Sequence, residues 1–184
     1  MRRLLGIATL ALFAIIAMTQ QSSAADPENT LYLELKSGRV VIEMRPDIAP
    51  KHVKRIKELV REKFYDGLKF HRVIPGFMAQ TGDPRGDGTG GSGQNIAAEF
   101  TDLESFYRGT VGMARSQNPN SADSQFFITF APSKSLDGQY TIWGEVVDGM
   151  ENVDAIKKGS ESDNGLVSDP DKIVTLRVAA DVKK

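Results

Sequence analysis

The chain contains no cysteine and only two histidines among its 184 residues. Without a thiol there is no disulfide, no cysteine nucleophile and no thiolate metal site. With only His52 and His71 to supply imidazole, a multi-histidine metal site is excluded as well. An excess of one charge is also lacking: 23 Lys and Arg stand against 24 Asp and Glu, and no basic stripe marks a nucleic-acid surface. Beyond residues 4–18 no run is apolar enough to cross a membrane. The absence of cysteine does not decide the compartment, because an oxidising one permits disulfides without requiring them. Glycine, by contrast, is frequent at 17 residues and clusters mid-chain, which favours tight turns over a helical bundle. The length suits one domain with one core.

Residues 1–25 read as an address. Arg2 and Arg3 precede an uncharged apolar stretch, residues 4–18, and a short polar segment. Ser22-Ser23-Ala24 and Ser23-Ala24-Ala25 both fit a signal-peptidase site, so cleavage is expected after Ala24 or Ala25. The apolar stretch is short for a bilayer span, which needs about 20 residues. The expectation is a cleaved signal peptide over residues 1–25, a single domain over 26–184, a periplasmic location and no stable membrane insertion.

In the mature chain, TLYLELK (residues 30–36) alternates with period two, Ser37-Gly38 is a turn, and RVVIEMR (39–45) returns as the second arm of a hairpin. A helix is expected over 50–64, with Pro50 in its first turn and Val53, Ile56, Leu59, Val60 and Phe64 on one face. Its other face is basic and reads as solvated, with His52 at the surface. Residues 68–81 read as two short strands broken at Pro75-Gly76, and GDPRGDGTGGSG (82–93) as a loop. Phe100, Leu103 and Phe106 are expected anchors of a mixed segment. Strands follow over 109–114, 125–130, 140–147 (with Trp143 in the core) and 172–179, and a short helix over 150–156. The count is mainly β, about eight strands and two helices, and the turns between strands favour an antiparallel barrel or sandwich over a parallel sheet.

Several chemistries fail on inspection. The glycine loop lacks the Gly-Lys-Ser/Thr of a phosphate-binding P-loop, and no GxSxG elbow exists to present a serine. FHRVIPGFMAQTGD (70–83) is more informative. Residues two apart on a strand share a face, so Phe70, Arg72 and Ile74 go together, as do Met78 and Gln80. One guanidinium and one amide in an apolar patch suit a peptide; the same spacing also describes a core strand with a solvated arginine. QFFITF places Gln125 and Phe127 on one face, able to complete the same patch.

FHRVIPGFMAQTGD, GDGTGGSG, GMARSQNPNSADSQFFITF and the Leu136-Asp137-Gly138 turn resemble cyclophilins, in the family's order and spacing, across residues 30–178. The resemblance implies a closed eight-stranded antiparallel β-barrel capped by two α-helices. It also implies a peptidyl-prolyl cis-trans isomerase that acts as a monomer, without cofactor or metal, on proline-containing unfolded or partly folded polypeptides. Arg72 matches the catalytic arginine and Gln80 the glutamine that orients it. Phe77, Met78, Phe127 and Leu136 match the proline pocket, Gly88 a loop glycine near the next substrate position, and Gln125 a second glutamine. Ala114 and Arg115, followed by Ser116, match the backbone-contacting segment less closely. Two positions depart: Ser135 stands where many cyclophilins carry tryptophan, and Tyr140 where the family has a pocket histidine. The departures weaken the expectation of cyclosporin binding and leave Arg72 and the pocket intact. The alternative reading is a peptide-binding periplasmic chaperone whose catalysis is incidental or lost.

Overall fold

The period-two run at the start of the mature chain forms β1 (Thr30–Leu35), with Leu31, Leu33 and Leu35 buried. The Ser37-Gly38 turn returns it as β2 (Gly38–Met44), fully paired with β1. This computed structural model describes residues 26–183; the expected signal peptide over residues 1–25 lies outside them. The first helix, α1 (Pro50–Arg61), has proline at its first position and buries Val53, Ile56, Leu59 and Val60. It ends before Phe64 because Lys63 takes the left-handed conformation (φ 58°) and the Phe64 amide closes on the Leu59 carbonyl at 2.9 Å. Short strands follow: β3 (Arg72–Ile74), β4 (Met78–Thr81), β5 (Thr110–Met113) and β6 (Phe126–Thr129). After them come β7 (Ile142–Asp148), a one-turn helix α2 (Met150–Asp154) and β8 (Thr175–Val178). No helix among the described residues is long and apolar enough to cross a membrane.

All eight strands form one antiparallel sheet in the order β3-β4-β6-β5-β7-β2-β1-β8. The closed barrel expected from the sequence is not formed. The sheet is an open, strongly curled half-barrel: β3 and β8 are its two edges, and no ladder among the described residues joins them. Among the described residues, only two isolated bridges, Lys69–Lys172 and Arg72–Leu166, stand in place of a ladder across the gap. The physical reason lies in residues 157–174, which would have to be strand for closure. Asn164, Gly165 and Asp169 have positive φ there, and Pro170 offers no amide donor. The segment instead covers the β3 edge as coil. The Val73 amide donates to Gly165 O (2.7 Å), the Gly159 amide to Val73 O (2.9 Å) and the Val167 amide to His71 O (3.1 Å). An edge covered by a loop is satisfied without a partner strand.

The core fills the inside of the curl, beneath α1. Trp143 is fully buried and meets the Phe126 ring edge-on at 5.5 Å; Tyr65 meets Phe126 from another side at 5.6 Å. Each such side chain contributes about 2–3 kcal/mol by leaving water. A smaller cluster of Met78, Phe106, Phe127, Leu136 and Ile142 lies on the opposite face of the sheet.

Two further expectations need correction. Of the anchors Phe100, Leu103 and Phe106, only Phe106 is buried; the other two are exposed. His52 is not a surface residue but fully buried. Residue Ala49 offers α1 no side-chain cap, so a carboxylate arrives from far along the chain: Glu99 accepts the amides of Lys51 and His52 at 3.0 Å and His52 Nδ1 at 2.7 Å. A negative charge there also suits the helix dipole. Burial pushes the His52 imidazolium below its ordinary range, against the pull of Glu99. Burial also pushes the Glu99 carboxyl up, but its hydrogen bonds from His52 and the two amides bring it net below its ordinary value.

The sign of the resulting pH dependence follows. Unfolded His52 takes up a proton as pH falls through about 6.5, while the folded state resists it, so stability is lost below that pH. Glu99, depressed from 4.5, adds a further loss at lower pH. Thermal melts from pH 7.5 to 5 should therefore show a falling Tm, with a shallower fall in His52→Asn. Glu99→Ala, which uncaps the helix and strands the imidazole, should cost about 2 kcal/mol, or roughly 4–8 °C in Tm at pH 7.

Candidate functional site

Strand register assembles the site. Arg72 on β3 lies opposite Gln80 on β4, Gln80 opposite Phe127 on β6, and Phe127 opposite Gly112 on β5. Ile74, Met78 and Thr129 make a parallel row two residues along. Because alternate residues share a face, Arg72, Met78, Gln80 and Phe127 all point away from the core that holds Val73, Ala79, Phe126 and Ile128. The result is a pocket of about 160 Å³ lined by Arg72, Phe77, Met78, Gln80, Ala114, Arg115, Phe127, Leu136 and Tyr140. Phe127 is the floor, stacked on Phe106 at 5.7 Å and met edge-on by Tyr140 at 5.7 Å. Gly112 makes room for this: a Cβ there would stand 2.5 Å from the Phe127 ring and 2.6 Å from the Phe106 ring.

A polar rail borders the pocket. Arg72 donates through Nη1 to Gln80 Oε1 (3.1 Å), Gln80 Nε2 to Gln125 Oε1 (2.9 Å), and Gln125 Nε2 to the carbonyls of Gly88 (3.1 Å) and Gly90 (2.8 Å). From the other side Asn164 receives Arg72 twice, Nε on its carbonyl (3.0 Å) and Nη2 on Oδ1 (2.9 Å). No carboxylate pairs with Arg72 among the described residues. Burial lowers its pKa from the usual arginine value, partly offset by Tyr140, and a guanidinium stays charged through such a change.

Gly88 and Gln125 stand in an adjoining cleft of about 300 Å³, which shares Gln80, Ala114 and Arg115 with the pocket. The glycine loop forms one wall, and its amides turn inward. Asp83 accepts those of Arg85 (2.8 Å), Asp87 (3.1 Å) and Gly88 (2.6 Å), and Asp123 those of Ser92 (2.8 Å) and Gly93 (2.9 Å). The chain's own carboxylates thus occupy the donors that a phosphate would need. All eleven residues singled out in the sequence therefore line one continuous surface.

Residues 30–178 match the family of cyclophilin type peptidyl-prolyl cis-trans isomerases (cyclophilin type peptidyl-prolyl cis-trans isomerase/CLD). The chain belongs to this family. It is 59% identical over 180 residues to a probable peptidyl-prolyl cis-trans isomerase of Brucella suis, covering 91% of each chain. It is 42% identical over 125 residues to peptidyl-prolyl cis-trans isomerase-like 3 of Gallus gallus, covering 66% of this chain and 77% of that one. Among solved structures it resembles the cyclophilin AquaCyp293 of Hirschia baltica, with a TM-score of 0.77 at 28% identity over 86% of this chain and 77% of that one. It likewise resembles a cyclophilin type isomerase of Cryptosporidium parvum crystallised with the dipeptide Ala-Pro, with a TM-score of 0.74 at 29% identity over 81% and 98%. The cyclophilin catalyses rotation about X-Pro bonds.

Reading the sequence missed two parts of this cyclophilin's site. Asn164 lies 92 residues from Arg72, inside a loop; its only local signal is the Asn-Gly pair, which marks a turn and a residue tolerant of positive φ. Phe106 was legible as an apolar anchor but not as the support beneath Phe127, a contact that only the fold creates.

The packing around Gly112 yields a test. Gly112→Ala should force the Phe127 ring aside and overpack the small cluster, costing about 1–3 kcal/mol. Calorimetry should show the lower Tm and a prolyl-peptide assay a lower kcat/KM; an unchanged pair of values would mean that Phe127 is not held as described.

Proposed function

We propose that this cyclophilin isomerises X-Pro bonds of exported polypeptides in the periplasm, through Arg72 acting on a proline held by Phe77, Met78, Phe127 and Leu136. An X-Pro amide turns slowly because resonance keeps it planar. Catalysis needs no covalent bond to substrate; the twisted amide must be bound more tightly than either planar isomer. As conjugation is lost, the prolyl nitrogen regains a lone pair, and a guanidinium donor directed at it stabilises charge that exists only in transit.

The observation that carries this reading is the setting of Arg72. Three of its N–H groups are spent on neutral acceptors, Gln80 and Asn164, at the rim of an apolar pocket. A guanidinium has five, so two donors and an uncompensated charge remain for substrate. Gln80, tied to Gln125, would hold both the arginine and the substrate backbone. Gly88, Gln125, Ala114 and Arg115 would receive residues beyond the proline, and Tyr140 would form an aromatic wall. Export rests on the charged start, apolar stretch and small-residue site of residues 1–25.

Arg72→Ala should lower kcat/KM on a short prolyl peptide by about a hundredfold or more, with an unchanged melting curve. A rate like that of wild type would overturn the mechanism. Asn164→Gly keeps the left-handed backbone and the carbonyl but removes Oδ1. It should cost roughly three- to tenfold, mostly in kcat, since the arginine is less well aimed while the pocket is intact. Expressed with its leader in a Gram-negative host, the protein should be recovered from the periplasm. Its mass there should correspond to a first residue of Ala25 or Asp26.

A further inference from the structure

We propose that the Arg115 side chain makes this cyclophilin prefer substrates with an acidic residue within a few positions of the isomerised proline. The proposal rests on the reading of the pocket given above and assigns a substrate class to its rim. Arg115 lies on the edge shared by the pocket and the adjoining cleft. An extended chain advances about 3.3 Å per residue, so a peptide with proline in the pocket and its neighbours in the cleft passes this side chain within two or three residues.

The guanidinium is held in place and left without a counter-charge. Nε donates to Gln139 O (2.9 Å) and Nη1 to Ser116 O (2.9 Å), both neutral acceptors. Its Cζ lies 4.6 Å from the Tyr140 ring centre and 5.9 Å from that of Phe100. Cation–π contact of this kind fixes the plane of an arginine. Of five N–H donors, two are committed within the described residues. No carboxylate of the described residues pairs with it, whereas Arg45, Arg61, Arg108 and Arg177 each have at least one. The acid that shares the cleft, Asp123, has its oxygens turned to the Ser92 and Gly93 amides.

A half-buried, oriented guanidinium with donors to spare accepts a carboxylate through charge-assisted hydrogen bonds, at little further cost in side-chain freedom. It disfavours a lysine at the same place by like-charge repulsion. The pairing is partly exposed to water, so the preference is modest and screened by salt.

The test is a series of prolyl peptides with Glu, Gln or Lys placed in turn at each of the three positions before and after the proline residue. In wild type, at one position or more, kcat/KM should be about three- to fivefold higher for Glu than for Gln, with Lys below Gln. The Glu-to-Gln ratio should shrink in 0.5 M salt. It should fall to about one in Arg115→Ala and invert in Arg115→Glu, each variant first checked for a native circular dichroism spectrum. Equal turnover of all peptides by wild type, or a ratio that survives Arg115→Ala, overturns the proposal and leaves the isomerase reading standing. Turnover of none of them by folded wild type overturns both.

Discussion

Neighbouring side chains on a strand point to opposite faces, and in β4 and β6 that constraint does two jobs at once. Ala79, Thr81, Phe126 and Ile128 close the core, while Met78, Gln80 and Phe127, interleaved with them, build the pocket. A one-residue slip between these strands would exchange the two sets and destroy both. Folding and catalysis therefore share one register. Room is made at Gly112, where the missing Cβ lets two aromatic rings occupy the space above the sheet. Substrate meets a surface whose underside is the main hydrophobic core.

The electrostatics follow a similar economy. Most arginines that are well placed in this structure are neutralised by a carboxylate. Arg72 and Arg115 are held by amides, carbonyls and ring faces instead. Neutral acceptors fix a direction without cancelling a charge. A carboxylate in the place of Gln80 or Asn164 would have held Arg72 equally well and cancelled its charge. Acids are present close by, at Asp83 and Asp123, but each is turned into the glycine loop and serves to hold its backbone.

Local pattern carried most of the architecture. Period-two runs located the strands, Pro50 and the apolar stripe located α1, and alternation grouped Arg72 with Ile74, Met78 with Gln80 and Gln125 with Phe127, while the row that joins these groups came from strand register. What escaped depends on where distant segments meet. Closure of the sheet is decided by whether residues 157–174 run as strand, and positive φ at Asn164, Gly165 and Asp169 breaks them into coil. His52 looked like a helix-surface residue because its partner, Glu99, is 47 residues away and caps the helix from a loop. Asn164 escaped for the same reason: its link to Arg72 spans 92 residues. Periodicity reports which face a residue takes, and is silent about what lies against that face.

The coil over the β3 edge joins two properties that could have been independent. The same residues that satisfy the amides and carbonyls of β3 carry Asn164, so the seal on the sheet and the aim of Arg72 are one contact surface. If that segment lifts, the edge strand becomes a template for another chain and the arginine loses two of its three anchors in the same event. On the mechanism proposed for Arg72, a molecule in a state prone to strand-to-strand association is thus already switched off. For a protein that acts on proline-containing polypeptides, that coupling keeps the sticky conformer from also being the working one.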